Sequence, residues 1–149
     1  MEQGIRDRNE IFAALSAAVA EAFPGLSQGG EADYTILDLL PLTGDKALRL
    51  GVWVDEYPSP SLAFGPSYCH EAADTQGYAE IVAGLCKIFA DEWVVVYDVG
   101  GEHPGHGRWM DLTEPDALAD YLTDPYSPDI IDIKSWTGRR DGRFGLSDL

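Results

Sequence analysis

Positive charge is what this sequence has least of. Against 26 Asp+Glu, its 149 residues hold 10 Lys+Arg, leaving a formal net charge of −16. Phosphate binding needs clustered Lys and Arg, so the deficit argues against DNA or RNA as a main partner. It disfavours an anionic membrane surface for the same reason. Cysteine is scarce as well. Cys69 and Cys86 make neither a disulfide framework nor a C-x-x-C pair, and both read as small core hydrophobes. No run approaches the ~18 consecutive apolar residues of a membrane-spanning helix. The segment Met1 to Glu10, with Glu2, Arg6, Asp7 and Arg8, lacks the apolar core of a signal peptide, so the expected location is cytoplasmic. Neither glycine-rich phosphate motif, G-x-x-x-x-G-K-[ST] or G-x-G-x-x-G, occurs.

What is present suits a packed domain. Apolar residues are 45% and aromatics 11% of the chain, too rich for disorder. A chain of this length buries ~68–70% of its unfolded surface without a metal or disulfide staple. One acidic domain over 1–149 is expected, with a basic C-terminal tail from about residue 137 that pairs with the acidic body.

Hydrophobic periodicity sets the expected elements. Ile11, Phe12, Leu15, Val19 and Phe23 predict a helix from Arg6 to Phe23, stopped by Pro24-Gly25. Period-two runs predict strands at Tyr34–Leu40 and Ala47–Val54, joined through Thr43-Gly44-Asp45, and a short strand at Ser61–Gly65. Tyr78, Ile81, Val82, Leu85 and Phe89 stripe a second helix over Thr75–Phe89. Trp93–Tyr97 is apolar on both faces, as a central strand is. A strand at Arg108–Leu112, a helix opened by Thr113 as cap, and a strand at Ile130–Trp136 complete the pattern. The order α-β-β-β-α-β-β-α-β predicts an α+β fold: a mostly antiparallel sheet of about six strands with helices packed on one face.

Catalytic motifs are sparse. Gly25-Leu26-Ser27-Gln28-Gly29 spells G-x-S-x-G, but it follows a helix where a nucleophile elbow follows a strand. His103 and His106 share a loop with Glu102 among four glycines, a poorly preorganised ligand set for zinc. No cofactor and no metal site is expected.

Charge segregation says more. Lys and Arg are absent from Leu50 to Cys86 and again from Trp109 to Ile133, while Lys134, Arg139, Arg140 and Arg143 cluster near the end. Each basic-free stretch holds a loop with tyrosine set among prolines and carboxylates: Asp55-Glu56-Tyr57-Pro58-Ser59-Pro60 and Asp124-Pro125-Tyr126-Ser127-Pro128-Asp129. Proline lowers the entropy cost of presenting a loop, and tyrosine supplies amphipathic contact area. Asp55, Glu56, Tyr57, Glu71, Asp124 and Tyr126 are therefore the candidate partner-binding residues.

Several segments also resemble a known group. Leu50-Gly51-Val52-Trp53-Val54-Asp55, Phe64-Gly65-Pro66-Ser67-Tyr68-Cys69-His70, Trp93-Val94-Val95-Val96, Gly100-Gly101 with Trp109 beyond, and Ile131 to Asp141 are similar to segments of small bacterial α+β proteins of the polymorphic-toxin immunity type. The resemblance implies a protein that neutralises a toxin by binding it, and it carries over no catalytic residue; the charge adds that the toxin or other effector is basic. Two other functions fit the composition: a small metal-dependent hydrolase using His70, His103 and His106, which predicts stoichiometric metal, and a nucleic-acid mimic acting through its carboxylates.

Overall fold

The computed structural model describes residues 7–26, 33–124 and 130–148. Along the chain come α1 (Arg8–Ala22), β1 (Thr35–Leu39), β2 (Leu50–Val54), β3 (Pro60–Phe64), β4 (Ser67–His70), α2 (Thr75–Phe89), β5 (Trp93–Asp98), β6 (Gly107–Asp111), α3 (Ala117–Thr123), β7 (Ile130–Lys134) and β8 (Gly142–Gly145). The class is α+β, as expected, but the single sheet of about six strands is not what forms. Two antiparallel four-stranded sheets form instead, ordered β1-β2-β3-β4 and β6-β5-β7-β8. The unexpected strands, β4 and β8, are each an edge. Ser-Tyr-Cys-His and Gly-Arg-Phe-Gly lack the β-branched alternation that marks a half-buried strand, and an edge strand does not require it.

The chain divides into two compact units: Met1–Leu39, Arg49–Ala63 and Tyr68–Cys86 in the first, Leu40–Leu48, Phe64–Ser67 and Lys87–Leu149 in the second. In the first, α1 lies on β1 and β2 and buries Ile11, Leu15 and Val19 completely, a four-residue spacing that keeps them on one helical face. Asp7 caps its start by accepting from Asn9 N at 2.9 Å, and Gly25 (φ 86) carries the chain away from its end. In β2, Leu50, Val52 and Val54 are buried while Trp53 takes the opposite face.

In the second unit β5 is central, with Val94, Val95 and Val96 all fully buried. One face of its sheet packs Val94, Val96, Met110, Ile131 and Ile133 against Leu122 of α3. This helix starts later than its sequence suggests. Thr113 does not cap it, because its Oγ1 donates to Asp111 Oδ1 at 2.5 Å. The N-cap is Asp116, in the left-handed region (φ 64) and without a side-chain capping bond. Where the basic tail is expected, Arg143 forks onto Asp132 (2.8 and 3.1 Å) as β8 pairs with β7. Cys86 is exposed and Cys69 half-buried, so neither is the core hydrophobe expected of it. Cys86 follows Leu85, and the helical turn of ~100° per residue takes it off the buried stripe.

Candidate functional site

The candidate site grows out of the end of β2. Asp55 N donates to Ser59 O at 3.1 Å, closing a loop over Glu56-Tyr57-Pro58. Pro58 and Pro60 fix φ on its return limb. At the tip Tyr57 is 91% exposed, and Glu56 beside it is exposed too. A fully exposed tyrosine costs nothing to hold but offers a large apolar face to whatever arrives.

Beneath the tip the side chains are tied together. Trp53 Nε1 donates to Asp55 Oδ1 (3.0 Å) and Ser61 Oγ to Asp55 Oδ2 (3.1 Å). His70 Nδ1 lies 2.6 Å from Ser61 Oγ and 3.0 Å from Asp55 Oδ2. Both oxygens thus face one imidazole nitrogen. Tyr68, 65% exposed, meets the His70 ring edge-on with centroids 5.3 Å apart. Asp55, Glu56, Tyr57, Ser59 and His70 line an open cavity of about 450 Å³.

Aspartate, histidine and serine in contact invite comparison with a nucleophilic triad. A triad needs the carboxylate and the hydroxyl on opposite imidazole nitrogens and a hydroxyl that substrate can reach. Here both oxygens face the same nitrogen, and Ser61 is fully buried. The cluster braces the loop against β3 and β4.

Electrostatics at this unit are one-sided. Of its described cations, Arg8 is spent on Val54 O (3.2 and 2.8 Å) and the Tyr34 ring (4.0 Å). Arg49 forks onto Asp38 at 2.7 and 2.6 Å, and that hydrogen bond holds the Asp38 carboxyl below its ordinary range. Glu56 and Glu71 have no cationic partner among the described residues.

Of the sequence-derived candidates, Asp55, Glu56 and Tyr57 share the cavity wall, and Glu71 follows directly after His70, its N–H donating to Pro60 O at 2.8 Å. Asp124 lies in the other unit, as the C-cap of α3. Tyr126 lies outside the described residues, as do residues 27–29 of the G-x-S-x-G match. Sequence reasoning missed Ser61 and Tyr68. The one available signal was that Tyr68 and His70, two apart, share a face if their segment is a strand. His103 and His106 are exposed in the loop between β5 and β6, which is closed by Asp98 N to His106 O (2.9 Å) and Gly105 N to Asp98 O (2.8 Å). Among the described residues no three His, Cys, Asp or Glu side chains gather to hold a metal, and no helix is long and apolar enough to cross a membrane. Comparison with family models, curated proteins and solved structures finds no match to this chain.

Proposed function

We propose that this is an acidic binding protein, an immunity-like inhibitor that neutralises a basic toxin or effector by direct contact through the 55–60 loop and the end of β4. The observation that carries the proposal is Tyr57, 91% exposed on a proline-framed loop beside Glu56, a carboxylate with no cationic partner among the described residues. Complementary charge accelerates the encounter of such a surface with a basic protein, and a buried aromatic anchor then sets the lifetime of the complex. The Asp55–Ser61–His70 cluster supports the same reading, because an anchor on a braced loop loses little freedom on binding.

The test is a kinetic titration with the product of the neighbouring gene, which on this reading is a basic protein. Tyr57→Ala is expected to speed dissociation, weakening the complex by about 30-fold, or ~2 kcal/mol. Glu56→Lys is expected to slow association about tenfold at low salt and hardly at all at high salt. A partner that binds the Tyr57→Ala, Glu56→Lys double variant as tightly as the parent protein would reject this surface.

A further inference from the structure

The second unit carries an aromatic and acidic shelf separate from this loop. In the β5–β6 ladder Trp93 faces Asp111 and Val95 faces Trp109. Trp93, Trp109 and Asp111 therefore project from one face of the sheet, opposite Val94, Val96 and Met110. The two indoles lie with centroids 5.3 Å apart and planes tilted by 30°. That spacing admits nothing between them, so they act as one continuous surface. With Met110, Asp111 and Glu114 they line a cavity of about 260 Å³.

The chemistry of the shelf is selective. One indole N–H is already used: Trp109 Nε1 donates to Phe64 O at 2.5 Å, while Trp93 faces Asp111 across the ladder. The electron-rich faces of the rings are the part of these side chains that attracts a cation. Asp111 accepts from Thr113 Oγ1 and N, bonds that lower its pKa and keep it ionised. Glu114 is exposed, and its carboxylate has no partner among the described residues. The shelf already attracts one cation of the chain itself, since Lys87 Nζ sits 5.1 Å from the centre of the Trp93 ring.

We infer that this shelf is a binding site for a guanidinium group, an arginine side chain presented by the basic partner. The planar cation stacks on the indoles beside Lys87 and pairs with the Glu114 carboxylate. The inference rests on the basic-partner reading, but its test does not require the partner. The four tryptophan indole N–H signals are followed by NMR while N-acetyl-arginine amide is added, with N-acetyl-citrulline amide as the neutral isostere. Saturable shifts confined to Trp93 and Trp109, seen with the arginine probe alone, are expected. Glu114→Gln, an exposed change that spares the fold, is expected to weaken the arginine probe about threefold to tenfold. Lys87→Gln, which removes the internal competitor, is expected to tighten it. Equal shifts from both probes, no shifts at all, or an affinity unmoved by Glu114→Gln would overturn the site. If the shelf fails while Tyr57→Ala still releases the partner, the shelf alone is lost. If the arginine probe binds and the basic partner does not, the loop reading is lost.

Discussion

Asp91 shows how much one buried carboxylate holds in place. It is fully buried, with a left-handed backbone (φ 59). It accepts from Thr137 N at 3.0 Å and from Thr137 Oγ1, and Arg139 Nε lies 3.6 Å from its Oδ2. Asp141 completes the same turn by accepting from Ser135 N and Oγ at 2.7 and 3.1 Å. Asp91→Ala removes every one of its side-chain bonds and puts a residue poorly suited to positive φ in its place, so a loss of about 3 kcal/mol is expected in chemical denaturation. Asp91→Asn keeps an acceptor for Thr137 N and tolerates the left-handed region, so about half that loss is expected. Equal losses would assign the effect to charge instead of hydrogen bonding. In the sequence Asp91 is one of 26 acids, and nothing local distinguishes it, because its partners lie more than forty residues away.

At the scale of elements, legibility followed burial. The helix at Thr75–Phe89 and the strand beginning at Trp93 form where the pattern puts them, since each buries a periodic apolar face. The edges β4 and β8 bury little and so left no pattern. Their absence from the expected fold also concealed half of the candidate site. The acidic loop of Asp55, Glu56 and Tyr57 was legible from composition, whereas the His70–Ser61 contact exists only because β4 pairs with β3. Gly65, between those strands, shows a further demand that periodicity does not record. Its φ is +61, and a Cβ there would lie 2.8 Å from Ala47 O and 3.0 Å from Val95 Cγ2. Gly65→Ala is expected to cost about 3 kcal/mol in thermal unfolding. Gly100→Ala, where a Cβ meets nothing within 4 Å, is expected to leave the midpoint within error.

For the whole molecule, the net charge of −16 acts on stability and on the proposed binding with opposite signs. The ion pairs Arg49–Asp38 and Arg143–Asp132 are largely solvent-exposed and contribute little each. Mutual repulsion among the remaining carboxylates outweighs them, and salt screens that repulsion. The melting temperature is therefore expected to rise as sodium chloride is added, by scanning calorimetry, while association with a basic partner slows over the same range. A melting temperature that falls with salt would show the ion pairs to be the larger effect. The connection between α1 and β2 bears on how such a charged surface is presented. Val54 is gripped by both of its backbone polar groups: its N–H donates to Tyr34 O at 3.0 Å, and its C=O accepts from the Arg8 guanidinium. The next residue is Asp55, where the loop begins. The first helix thus serves as the abutment of the 55–60 loop. Tyr57 is carried on a fixed base, so the shape of the loop is set by the helix beneath it and not by whatever touches its tip.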